Sequence, residues 1–270
     1  MSRAKVWFVG AGPGAADLIT FRGARAIAAA DVVVWARSLV MEEVLQHARA
    51  GAELIESTDR TLEDVLAVYE RAIADDLVVA RVHSGDPAIY GAIQEQIRFC
   101  LARGLSYEIV PGVSSLAAAA ATLGRELTVP ERSQSLILTR RGGRTPMPAG
   151  EQVPALARHR TTMALFLSAA RPHDLQRELL EGGYPPDTAC AVVYRASWPD
   201  EAVLRCRLDQ LGDRVRAARI NRQALILVGP GLDDAQTRSH LYHPGYGHRF
   251  RRLGAGKRYR RTEEAASGPA

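Results

Sequence analysis

Three short glycine-bearing segments, each placed directly after an apolar run of strand length, constrain this chain more than any other feature. Lys5–Val9 leads into Gly10-Ala-Gly-Pro-Gly-Ala15, Leu77–Val82 into His83-Ser-Gly-Asp-Pro87, and Ser106–Val110 into Pro111-Gly-Val-Ser-Ser115. Each is followed by a stretch of helical composition. Strand, tight turn and helix in repetition predict a mostly parallel sheet with helices on both faces. Open sheets of that kind gather ligands at the carboxyl ends of their strands. Three such loops suggest one composite site better than three separate turns.

The rest of the first half fits the same α/β frame. Helices are expected at Leu18–Ala30 (capped by Asp17 or Thr20), Leu39–His47, Thr61–Ala74 (capped by Thr61), Tyr90–Arg103 and Val113–Leu123, with further strands at Asp31–Trp35 and Glu53–Ile55. A Gly/Pro-bearing charged stretch, 124–134, breaks the alternation and is the expected linker between an N-terminal α/β domain, 1–123, and a second domain, 135–246. In the second domain Ser135–Thr139, Thr162–Leu167, Ala189–Tyr194, Ala202–Arg207 and Gln223–Val228 read as strands, Arg171–Glu181 and Leu208–Ala218 as helices, and Arg140–Gly150 as a basic loop. The turn at Pro199–Glu201 joins two neighbouring strands, so this sheet is expected to be mixed. Residues 247–270 read as a basic, disordered tail.

Charge and cysteines exclude several function classes. The formal charge is +5, but seven of the 35 Lys and Arg lie between Arg249 and Arg261, and Glu263 and Glu264 follow them. That leaves 28 basic against 28 acidic residues elsewhere. A nucleic-acid module would instead spread its basic residues over the fold with aromatics between them, and aromatics are only 6% here. The apolar runs are too short for a bilayer, and the opening residues run straight into a strand with no leader pattern. We therefore expect a cytoplasmic protein with no nucleic-acid or membrane partner. Cys100, Cys190 and Cys206 stand at no metal or redox spacing, and no metal is expected.

Each motif also has a plainer reading. Gly10, Gly12 and Ala15 fit a dinucleotide fingerprint, yet Trp35-Ala-Arg37-Ser38 stands where a ribose-binding acid belongs, which argues against a nicotinamide oxidoreductase. Asp86 could cap the helix behind it, and Ser114 and Ser115 could be caps as well. His83 has a cleft position but the bland role of a hydrogen-bonding spacer.

Taken in order, Gly10-x-Gly-Pro-Gly with Asp17-Leu-Ile-Thr20 and Ala30-Asp-Val-Val33, then Ser84-Gly-Asp-Pro87, then Pro111-Gly-Val-Ser-Ser115 resemble the tetrapyrrole (corrin/porphyrin) methylase family. The resemblance spans residue 4 to about 245. The 83–96 and 194–201 segments, the 138–144 loop and the 240–248 segment are similar to the branch that methylates carbon 11 of precorrin-4. Physical argument alone leaves carbon 17, carbon 2/7 and a cobalt-bearing substrate open. The resemblance implies S-adenosyl-L-methionine as methyl donor, a cobalamin-pathway tetrapyrrole as acceptor, and a homodimer. It places Ser84, Gly85, Asp86 and Ile89 around the amino-acid part and ribose of the donor. Ser114 and Ser115 fall beside the sulfur, Leu167 at the adenine, and Arg195 and Ala224 on the other donor-facing loops. Pro13 and Gly14 fall on the substrate side. Arg37, Arg140, Arg141, Arg144 and Arg195 are the cations offered to the substrate's carboxylates. No catalytic base is assigned.

Overall fold

In the computed structural model, which describes residues 2–233, 237, 239–247 and 249–251, the chain forms two five-stranded sheets. The first contains β1 (Lys5–Gly10), β2 (Val32–Trp35), β3 (Glu53–Glu56), β4 (Val78–His83) and β5 (Ser106–Val110), in the order β3-β2-β4-β1-β5. Every pairing in it is parallel. Its central strands are apolar on both faces, as two helical layers require: Val6, Phe8, Val33, Val79 and Ala80 are fully buried.

The sheet order explains why the glycine loops meet. β4, β1 and β5 are adjacent and point the same way, with Gly10 level with His83 and Val9 level with Val110. All three loops therefore leave the same edge at the same height.

The helices of this half are α1 (Phe21–Ala28), α2 (Leu62–Ala74), α3 (Gln94–Arg103) and α4 (Ser115–Leu123). Thr20 caps α1 by accepting from the Gly23 N–H, and Thr61 with Asp64 forms a reciprocal capping box on α2. Most expected helices are shorter, two of them markedly. Leu39–His47 contains only a 3-10 segment, Glu42–His47, and the 90–103 helix begins at Gln94. Tyr90 and Ala92 adopt left-handed backbone, φ 56° and 50°, which ends helical continuity even though Ile93 and Ile97 keep the apolar spacing.

The second sheet has β6 (Leu136–Arg140), β7 (Thr162–Phe166), β8 (Ala189–Tyr194), β9 (Ala202–Arg207) and β10 (Ala224–Val228), in the order β6-β7-β10-β8-β9. Only β6 and β7 are parallel, so the sheet is mixed as expected. α6 (Pro172–Glu181) and α7 (Leu211–Ala217) cover one face over a core of Met163, Leu165, Leu175, Leu179, Leu211 and Ile226. A short helix, α5 (Val153–Ala157), lies between the basic loop and β7, where the sequence reading assigned no element.

The other face of this sheet is covered by α4 of the first half. Ala118, Ala119 and Leu123 share an apolar cluster with Ala164, Ala191, Leu225 and Leu227. The small side chains of α4 allow close approach to the sheet. Among the described residues no helix is long and apolar enough to cross a membrane, and no group of His, Cys, Asp and Glu is placed to hold a metal. Of the tail, Arg252 and everything after it lie outside the described residues.

Candidate active site

Contact between loops, more than any single motif, defines the site. Gly12 and Gly85 form an isolated antiparallel bridge, with the Gly85 N–H donating to Gly12 O at 2.7 Å. Asp86 joins the second loop to the third: one carboxylate oxygen accepts from Ala88 N at 2.8 Å and the other from Gly112 N at 3.0 Å. Asp86 is thus a bridge between loops, not the cap of α3, which starts eight residues later. Gly85 has φ 64°, so its glycine is a conformational requirement.

From the second sheet come three non-glycine residues in left-handed backbone, each one step beyond a strand end. They are Leu167 after β7 (φ 53°), Arg195 after β8 (φ 48°) and Gln223 before β10 (φ 52°). Such residues cost about 1–3 kcal/mol each and persist where the surroundings over-determine them. Here the Arg195 N–H donates to Gln223 O at 2.8 Å, and Gln223 Nε2 donates to Ser38 O at 2.6 Å. That second bond spans the two halves of the chain.

Between the loops and these strand ends lies a cavity of about 480 Å³, within the range of small-molecule sites. Six of the residues singled out from sequence line it: Pro13, Ser84, Ser115, Leu167, Arg195 and Ala224. Leu167 is 72% exposed and forms part of its apolar wall with Phe166 and Val193. Gly85, Asp86 and Ser114 act behind the wall. Ser114 caps α4 by accepting from Leu116 N, so the two adjacent serines divide the roles of cap and lining. Ile89 is half-buried outside the lining. Sequence reading missed Phe166, Trp198, Gln223 and Ser38. Trp198 stood within a quoted segment without a role, and a left-handed glutamine leaves no sequence signal.

Trp198 locks the first loop. Its Nε1 donates to Pro13 O at 3.0 Å, and Ser197 Oγ accepts from Ala15 N at 3.0 Å. Gly14 fits beneath it because it has no side chain: a Cβ there would lie 2.3 Å from Trp198 Cδ1.

The five arginines separate. Arg195 lines the cavity, its guanidinium 4.0 Å from the Trp198 ring centre. Arg37 lies in an adjoining open pocket of about 430 Å³ that Arg195 and Trp198 also line. Arg144 is exposed on the 140–150 loop. Arg140 closes that loop on itself, donating to Thr145 O and Pro146 O. Arg141 is committed elsewhere: its guanidinium meets Glu178 at 2.7 Å and Asp174 at 3.3 Å on α6. Its positive charge is neutralised there, and its contribution is to anchor the loop.

The cavity lining contains no Asp, Glu, His, Lys or Cys. His83 is buried at 9% exposure against Phe8, and its Nε2 has no hydrogen-bond partner. Burial, reinforced by the nearby Arg81 charge, pushes its pKa down to about 3. The unfolded chain therefore binds a proton near pH 6.5 that the folded chain refuses. Stability from this residue is fully present above pH 6.5 and is lost progressively as pH falls towards 3. The expected loss is about 1.4 kcal/mol per pH unit within that window. Thermal unfolding of His83→Gln from pH 7 to 4 should show a correspondingly shallower acid decline than the parent.

Such an arrangement can hold, orient and desolvate a ligand, and its lining offers no base that would activate a serine hydroxyl as a nucleophile. A two-sheet α/β chain with a ligand trough of glycine loops facing strand ends has this architecture in common with a known class. Residues 5–212 match the Tetrapyrrole (Corrin/Porphyrin) Methylases, and the chain belongs to that family. It is 47% identical to the precorrin-4 C(11)-methyltransferase of Pseudomonas aeruginosa, over 89% of this chain and 99% of that one. Its structure is similar to that of a cobalamin biosynthetic enzyme, cobalt precorrin-4 methyltransferase, with TM-score 0.83 and 43% identity, covering 86% of this chain and 97% of that one. It is also similar to the Thermus thermophilus uroporphyrin-III C-methyl transferase complexed with S-adenyl homocysteine, with TM-score 0.70 and 27% identity, covering 83% and 97%.

Proposed function

We propose that this protein transfers a methyl group from S-adenosyl-L-methionine to carbon 11 of precorrin-4, giving precorrin-5 in cobalamin biosynthesis. The observation that carries the reading is the cavity itself: largely apolar, lined by no Asp, Glu, His, Lys or Cys, with Arg195 and Arg222 as its charged groups, and built jointly by three glycine loops and three strained strand ends. The near full-length likeness to a precorrin-4 C(11)-methyltransferase supplies the acceptor and the ring position. A cobalt-bearing acceptor is the second reading, favoured by the likeness to a cobalt precorrin-4 methyltransferase.

The cavity fits the donor by size and by lining. Leu167 offers an apolar face for adenine, Ala224 flanks it, Arg195 closes the side, and Ser84 and Ser115 present hydroxyls to the polar end. Gly85, Asp86, Ser114 and Ile89 hold the loop from which Ser84 projects. The donor supplies a methyl group on a sulfonium, whose charge disappears as the carbon–carbon bond forms. The protein's part is alignment and exclusion of water, an effect that reaches roughly 7–11 kcal/mol in well-oriented reactions. Pro13 and Gly14, with Arg37, Arg140 and Arg144, form the acceptor side. Two domains, 1–123 and 135–246, joined through 124–134, a cytoplasmic location and a homodimer belong to the same proposal, and sedimentation checks the last.

Leu167→Ala is expected to weaken S-adenosylhomocysteine binding roughly tenfold, since about 1.4 kcal/mol of apolar contact is removed. Calorimetric titration measures it. For the activity, methyl-labelled donor is supplied with cobalt-free and cobalt-bearing precorrin-4 in parallel. One label per ring in either acceptor supports the reading and identifies the substrate form. No label in both overturns it.

A further inference from the structure

Arg195 is the cation shared by two adjoining spaces, the main cavity and the open pocket that also contains Arg37, Glu42, Glu43 and Asp200, where Arg37 is paired with Glu42 at 3.6 Å. Its environment is unusual in three independent respects. Its backbone is left-handed, its Nε is buried without a hydrogen-bond partner, and its guanidinium carbon lies over Trp198, 4.0 Å from the ring centre. Asp200 accepts a hydrogen bond from Arg195 Nη1.

The loop that carries these residues is pinned by other bonds. Trp198 is tied to Pro13 O, and Ser197 Oγ to Ala15 N. Glu201 accepts from Ser197 N at 2.6 Å and from Thr122 Oγ1 at 3.0 Å on α4. Asp200 takes no part in that pinning. Its side chain is 51% exposed, against 23% for Arg195. A half-exposed carboxylate on a stacked, immobilised guanidinium is a replaceable partner. The bond contributes little to the fold, and the single guanidinium nitrogen it occupies suits any other carboxylate equally.

We propose that Asp200 is an exchangeable counter-ion for Arg195, and that a carboxylate arm of the acceptor takes its place in the second pocket. Arg195 then acts as a positioning residue, its plane held by Trp198, and it fixes the ring relative to the donor cavity that the same side chain lines. The inference rests on the reading above that the acceptor is a carboxylate-bearing tetrapyrrole.

The test uses uroporphyrin III, a stable fluorescent tetrapyrrole polycarboxylate, titrated onto the full chain, Asp200→Asn, Arg195→Gln and the double variant. S-adenosylhomocysteine binding is measured on each. Removing the competing carboxylate should tighten porphyrin binding about threefold, the scale of an exposed ion pair, and leave the S-adenosylhomocysteine Kd unchanged in Asp200→Asn. Arg195→Gln should weaken porphyrin binding about tenfold, and Asp200→Asn should add nothing in that background. A purely structural Asp200 would weaken both ligands when replaced, so a gain in one distinguishes the roles. Tightening absent from Asp200→Asn, or persisting without Arg195, overturns the exchange while the parent still binds porphyrin. A parent that binds no porphyrin overturns the carboxylate-acceptor reading together with it.

Discussion

Gly112→Ala is expected to weaken donor binding severely while leaving the second sheet folded. A Cβ at this position would lie 2.1 Å from Gly85 O and 2.7 Å from Gly10 Cα. Both obstacles are backbone atoms of central loops, so no side-chain rotation relieves the overlap. The strands beneath them, β1 and β4, lie in the middle of the sheet, are largely buried and cannot retreat. Overpacking of this kind costs about 1–3 kcal/mol where side chains can give way, and more where they cannot. The displaced loop would take with it the Asp86–Gly112 bond and the projection of Ser84 into the cavity. S-adenosylhomocysteine affinity should fall by on the order of 100-fold or more. Calorimetric titration reads it, with circular dichroism confirming that the remaining fold persists.

The second large effect is expected at the opposite wall. Gly14→Ala would put a methyl group 2.3 Å from Trp198 Cδ1 and 2.9 Å from Ser197 Oγ. These are side-chain atoms, so the loop survives by expelling Trp198, and the Pro13–Trp198 bond is lost. Arg195 then loses the surface on which its guanidinium lies. Turnover should fall roughly 10–100-fold, since misplacement of about 1 Å costs that much, with unfolding temperature little changed. The cause is separable by a suppressor. In a Trp198→Ala background, itself impaired, Gly14→Ala should add almost nothing. If the two losses multiply instead, the damage at Gly14 does not act through Trp198.

The first sheet was legible because its physics is local. Continuous apolar strands end in glycine, and the helices between them carry their own caps at Thr20 and Thr61. Those signals place three loops on one sheet edge before any coordinates are known. What was not legible is what the other half does to them. Val113–Leu123 reads as a helix of the first half, yet its alanines face the second sheet, because small side chains carry no address. Leu167, Arg195 and Gln223 give no hint of left-handed backbone, since that conformation is imposed by the surroundings against intrinsic preference. The 90–103 segment shows the same limit from the other side. Its apolar period continues through residues that tertiary contacts hold out of the helix, and Gly91 packs so closely on Pro87 that a Cβ would meet its carbonyl oxygen at 2.2 Å. Arg140 and Arg141 are neighbours with the same chemistry in sequence, and only the fold shows one closing a loop and the other neutralised by Glu178 and Asp174. Val153–Ala157 is too short for a helical period to show, although Pro154 sits where proline suits the first turn of a helix.

The measurement that bears most directly on the central proposal is the position of the transferred carbon. Precorrin-4 is incubated with the protein and carbon-13 methyl-labelled S-adenosyl-L-methionine, and the product is followed by mass and carbon NMR. The account predicts a mass gain of one labelled methyl and a single new methyl resonance assigned to carbon 11. A labelled methyl at carbon 17 or at any other ring position, with donor binding intact, would contradict it.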